Sequence, residues 1–109
     1  MSPLSAVLER LAVLVADRKG ADPAHSYTAQ LLGDPTRAAK KLGEEAIETV
    51  IAAVEGDTSA IAAESADLIY HWLVLLAATG VPLEAVAAEL ERREGTSGLA
   101  EKAARGRAE

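Results

Sequence analysis

Five acids stand in two short runs, Glu44-Glu45-x-x-Glu48 and Glu64-x-x-Asp67, and Lys40-Lys41 precede the first by one turn. An i, i+3 step puts both acids of a pair on one side of a helix. Lys41, Glu44, Glu45 and Glu48 then fall within an arc of roughly 100°. The plain reading of that arc is a solvated Glu/Lys face, with the lysines in ordinary i, i+4 pairs with Glu44 and Glu45. The second run changes the balance. Glu64 and Asp67 share a helix face with Leu68, His71, Val74 and Leu75, where an ionised carboxylate is expensive unless paired or metal-bound. Either a Lys or Arg from a neighbouring helix neutralises these acids, or the two helices meet and pool Glu45, Glu48, Glu64 and Asp67. Four pooled carboxylates call for a hard divalent cation with all-oxygen ligands, Mg²⁺ first and Mn²⁺ second. Such a cation would bridge the acids to a polyphosphate and activate water, with Lys40 and Lys41 in reach of phosphate.

The elements that must position these groups are helices. Leu4, Val7, Leu8, Leu11 and Leu14 mark a first helix over roughly residues 3 to 18. Ser26 to Leu32 has room for one or two turns before Gly33. Asp34-Pro35 reads as an N-cap and first helical residue. From there a stripe of Ala39, Leu42, Ala46, Ile47, Val50, Ile51 and Val54 runs to Gly56, opposite the acids, as the expected core face. Asp57 or Thr58 starts a third long helix that ends before Gly80, and Pro82 opens another that ends near Gly95. The tail from Thr96 to Glu109 is polar, either a short last helix or mobile. Short connectors between long helices imply antiparallel neighbours. The expected fold is all-α, a bundle of four to five helices, with residues 1–109 forming one domain.

Composition supports this and narrows the function. The 109 residues include 24 alanines, no Phe and one Trp; alanine is the strongest helix former. A net charge of -6 and so few aromatics exclude the basic footprint and stacking platforms of a nucleic-acid binder. With no cysteine there is no disulfide, thiolate metal site or cysteine nucleophile. That suits a reducing cytosol, and a cytoplasmic location is expected. The apolar run from Leu68 to Ala78 is about half of the roughly 20 residues a membrane span needs. No signal peptide is expected. A helix that apolar in so short a chain needs a partner surface, so a homo-oligomer is expected.

Ser26-Tyr27-Thr28-Ala29, the run from Lys40 to Glu48, the run from Glu64 to His71, Glu89-Leu90-x-Arg92-Arg93 and Ser97-Gly98-Leu99-x-Glu101-Lys102-Ala103 together resemble phosphoribosyl-ATP pyrophosphohydrolase. That family belongs to the all-α, MazG-like nucleotide pyrophosphohydrolases and catalyses the second step of histidine biosynthesis. The resemblance covers about residues 4 to 105. It implies hydrolysis of phosphoribosyl-ATP between the α and β phosphorus atoms, giving phosphoribosyl-AMP and pyrophosphate. It further implies Mg²⁺ on Glu45, Glu48, Glu64 and Asp67, with Glu44 orienting or deprotonating the attacking water or serving as an alternate ligand. By the same resemblance Lys41, beside Lys40, meets phosphate. Arg93, Ser97 and Lys102 meet the phosphoribosyl group, and Ser26 and Tyr27 lie over the site. The family's homodimer completes the bundle across its interface. The connector Gly33-Asp34-Pro35 is slightly shorter than the family's, which leaves the placement of Ser26 to Thr28 open. A stand-alone enzyme is expected, without a fused cyclohydrolase domain.

Two other readings stand beside this one: a house-cleaning hydrolase of ordinary or damaged nucleoside triphosphates, and a non-catalytic helical dimerisation module. For His71 the plain reading is a satisfied core histidine; the alternative is a hydrogen bond to a ligating carboxylate. Tyr70 and Trp72 are expected in the dimer core.

Overall fold

Aspartates start the two long helices. The Asp34 carboxylate accepts from the Arg37 amide at 3.1 Å, and that of Asp57 from the Ala60 amide at 3.0 Å. Each satisfies one of the donors that a helix start leaves open. Glycines end both helices, Gly56 at φ 74° and Gly80 at φ 78°, a conformation in which a side chain would be strained. A computed structural model describes residues 3–95 and 98–108. Six helices follow in order: α1 Leu4–Asp17, α2 Tyr27–Leu32, α3 Pro35–Glu55, α4 Thr58–Thr79, α5 Leu83–Arg93 and α6 Gly98–Ala108. The fold is all-α as expected. The count reaches six because both marginal segments are helical. The Ser26 hydroxyl accepts from the Ala29 amide at 3.1 Å and so starts α2, and the alanine-rich tail forms α6.

The long helices α3 and α4 form the principal pair, with α1 and α2 packed on α4 and α2 also on α3. Among the described residues, α5 and α6 pack extensively against none of them. Val15, Leu31, Ala38 and Val74 form the buried core, and Leu32, Tyr70, Leu75, Ala77 and Ala78 close around it. Leu31 and Val74 are fully buried. A hydroxyl–hydroxyl bond between Thr28 and Tyr70 ties α2 to α4.

The orientation of α3 reverses the expectation from its stripe. Its buried residues are Ala38, Glu45 and Ala52, seven apart and therefore on one face. Ile47, Val50, Ile51 and Val54 stand in solvent, with exposures from 51% at Ile51 to 83% at Val54. The small alanines let α3 and α4 approach along the acid face, and the apolar stripe is left uncovered within the chain. On α4, an 18-residue window reaches a mean hydropathy of 1.3, long and apolar enough for a span by length and composition alone. This same helix is the hub on which α1, α2 and α3 pack, and it carries Glu64, Asp67 and His71.

Candidate metal centre

The seam between α3 and α4 gathers the acids. One oxygen from each of Glu45, Glu48 and Glu64 lies within 4.8 Å of the other two. Glu45 is only 8% exposed, Glu64 is half-buried and Glu48 exposed. One oxygen of Glu45 and one of Glu64 are buried with no hydrogen-bond partner among the described residues. Charged oxygens left so are costly, and no Lys or Arg reaches these acids in an ion pair among the described residues. The arrangement therefore fits a divalent cation: oxygen donors only, close enough to converge, and two of them otherwise unsatisfied. A cleft lined by Glu48, Ile51, Ala52, Glu55, Ala60 and Glu64 opens beside them.

The electrostatics agree with that geometry. Burial pushes the Glu45 carboxyl above its ordinary range, and a hydrogen bond with Glu48 and the Glu48 charge push it further. Hydrogen bonding with Glu48 is the largest cause raising Glu64, followed by burial. Asp67 lies outside the group of three and is exposed. Its charge still raises both Glu45 and Glu64, so it stands at the rim of the same field.

Lys41 reaches Glu44 at 3.0 Å. That contact, first as a hydrogen bond and then as charge, lowers Glu44 and raises Lys41. Glu44 is exposed and held ionised by that contact, and Lys40 is exposed as well. Tyr27, the first residue of α2, meets His71 edge-on with ring centroids 6.3 Å apart, and the Arg37 guanidinium lies 5.8 Å from the Tyr27 ring centre. The negative ring face favours that cation. Ser26 is engaged as the α2 cap. Arg93 is on α5, where it and Arg92 both pair with Glu89. Lys102 is exposed on α6, and Ser97 lies outside the described residues.

Two features were weakly marked in the sequence. His71 is 7% exposed, its Nδ1 2.8 Å from the Asp67 carbonyl oxygen, and its Nε2 is buried without a partner. Its spacing, four after Asp67 and seven after Glu64, placed it on the acid face. Arg37 carries no such signal, because its partners Tyr27 and Gln30 belong to another helix.

Comparison with known proteins gives the family. The profile described as phosphoribosyl-ATP pyrophosphohydrolase matches residues 8–94. A phosphoribosyl-ATP pyrophosphatase of Caulobacter sp. is 69% identical over 105 residues, covering 96% of this chain and 98% of its own length. Proteins of the same name from Cereibacter sphaeroides and Parvibaculum lavamentivorans are 61% and 63% identical, covering 92% and 91% of this chain and 98% and 92% of their own. The chain belongs to the phosphoribosyl-ATP pyrophosphohydrolase family.

Proposed function

We propose that the chain hydrolyses phosphoribosyl-ATP to phosphoribosyl-AMP and pyrophosphate at the α3–α4 seam, with Mg²⁺ held by Glu45, Glu48, Glu64 and Asp67. The observation that carries this reading is the convergence of three carboxylate oxygens, two of whose groups keep a buried, unpartnered oxygen. Bound there, Mg²⁺ would supply positive charge to the phosphate oxygens and to the reacting water. Mn²⁺ offers the same donor preference as a substitute.

The chain's own groups do the rest. Lys41 and Lys40 meet the triphosphate. As Lys41 turns to phosphate it releases Glu44, which orients or deprotonates the attacking water or joins the ligands. Until then the Lys41 contact holds the Glu44 carboxyl below the ordinary range. Ser26 and Tyr27 close over the nucleotide from α2. Arg93, Ser97 and Lys102 take the phosphoribosyl group, which a plain nucleoside triphosphate lacks.

The same reading includes a homodimer in the cytoplasm. Ile47, Val50, Ile51 and Val54 form an exposed apolar row, and Leu42, Leu68, Ile69 and Trp72 line an open apolar groove. Only 17% of the apolar window of α4 is buried within one chain. Exposed apolar surface of this continuity marks an interaction site, and a second copy brings the same surface to it. The products test the reaction. With Mg²⁺, phosphorus NMR should show phosphoribosyl-AMP and pyrophosphate in equal amounts, and release of orthophosphate alone would contradict it.

A further inference from the structure

Arg37 is exposed, yet the fold holds its guanidinium in one place without a carboxylate. Its Nη1 donates to the Gln30 side-chain oxygen at 3.4 Å, and its central carbon lies 5.8 Å from the Tyr27 ring centre. Gln30 is fixed in turn. Its amide nitrogen donates to the Pro23 carbonyl at 2.8 Å, which turns the amide oxygen to Arg37. Asp34, one turn before, accepts from the Arg37 backbone amide as the α3 cap. The chain is acidic, with 17 acids against 11 lysines and arginines, and Lys41, Arg92 and Arg93 all pair with glutamates. Among the described residues no carboxylate pairs with Arg37. Holding so long a side chain costs rotamer entropy, and the guanidinium keeps further N–H donors in a rigid fork. Donors fixed and left open in this way suit an anion with paired oxygens.

The place of Arg37 along α3 says which anion. Arg37, Lys41, Glu44 and Glu48 follow at steps of four, three and four and share an arc of roughly 60°. One face of α3 therefore runs from cations near its start to the acids of the candidate metal centre. By helical rise Arg37 lies about 16 Å from Glu48, with Lys41 between them. The triphosphate belongs to the acid end, where Lys40 and Lys41 meet it in the reading above. The Arg37 guanidinium is engaged with α2 instead and, as helical side chains do, leans toward the helix start, away from the acids. Phosphoribosyl-ATP carries a second phosphate at its opposite end, beyond a ribose, the adenine and another ribose. Tyr27, 42% exposed, lies against both Arg37 and His71 and so stands beside the stretch in between. We infer that Arg37 binds the phosphate of the phosphoribosyl group, with Gln30 and the Tyr27 ring positioning it, and so helps select phosphoribosyl-ATP over ATP. The inference rests on the reaction proposed above, adds to the groups named there for phosphoribosyl, and involves no covalent step.

Binding of two nucleotides tests this without turnover. AMP and phosphoribosyl-AMP differ by the phosphoribosyl group, so the ratio of their dissociation constants, measured by calorimetry with Mg²⁺, isolates it. The wild-type chain should bind phosphoribosyl-AMP at least about tenfold more tightly, the scale of one hydrogen bond to a charged group. Arg37→Gln should lose most of that preference while its AMP affinity and melting temperature stay close to wild type. Arg37→Lys keeps the charge and loses the fork, and should fall between the two. In turnover of phosphoribosyl-ATP, Arg37→Gln should raise KM by about tenfold with a smaller change in kcat, as for a contact present in both ground and transition states. A preference in Arg37→Gln as large as in wild type overturns the inference, and so does a wild-type chain without one. Equal weakening of both nucleotides also overturns it, because Arg37 would then serve only to support α2 or to meet the phosphate that AMP shares. A wild-type chain that binds both nucleotides but leaves phosphoribosyl-ATP intact with Mg²⁺ would instead overturn the underlying reaction.

Discussion

Glu48 is the residue on which the carboxylate cluster turns. It is the exposed member, yet it raises Glu45 and Glu64 on either side, so the three share one field. Glu89 shows the opposite case. Arg92 and Arg93 hold its carboxyl at about 2, well below the ordinary 4.5. A carboxylate depressed by folding contributes stability above its unfolded value, and that contribution fades as pH falls through the folded one. The stability from the Glu89 pairs should therefore be present at pH 5 and fade between about pH 4.5 and 2, with the Glu89 side-chain carboxyl signal in an NMR titration of the folded chain showing a midpoint at about 2. An ordinary midpoint near 4.5 would remove these pairs from the solution structure. Of the candidate residues, the acids were legible because i, i+3 spacing survives in any helix. An i, i+4 step pairs Lys40 with Glu44 and Lys41 with Glu45, whereas the structure pairs Lys41 with Glu44 at i, i+3; the Tyr27–Arg37 and Tyr27–His71 contacts depend on how α2 lies, which no local pattern encodes.

At the scale of elements, α2 is short but not peripheral. Six residues cannot hold a helix alone; Ser26 caps it and Leu31 is fully buried beneath it. Leu31→Ala should cost about 2–5 kcal/mol, read as a lower midpoint in denaturant unfolding. A loss under about 1 kcal/mol would mean that α2 is not docked in solution. The helix boundaries of α3 and α4 were readable from Asp34, Gly56, Asp57 and Gly80. The face of α3 was not. Its apolar stripe is the strongest periodic signal in the chain, but Ala38, Glu45 and Ala52 face the neighbour instead. Periodicity reports that a face must be buried, and it does not say whether the same chain buries it.

For the whole molecule, that uncovered stripe predicts the assembly. Ile51→Glu puts a charge into the exposed row of Ile47, Val50 and Val54 and should convert a dimer to a monomer in sedimentation equilibrium. A dimer of wild-type strength in this variant would place the interface elsewhere. The acidity of the chain has a local meaning at this scale as well: part of a net charge of -6 is gathered where a cation can offset it and carry a polyphosphate to the protein. The direct test of that claim is the rate of pyrophosphate release from phosphoribosyl-ATP, with and without Mg²⁺, in the wild-type chain and in Glu48→Gln, beside an ATP control. Wild type should release pyrophosphate only with Mg²⁺ and should favour phosphoribosyl-ATP over ATP. Glu48→Gln should be slower by at least about 100-fold, since even groups behind a metal's ligands cost about 10- to 100-fold. Mg²⁺-independent release, or a Glu48→Gln chain as fast as wild type, would contradict catalysis at the α3–α4 carboxylates.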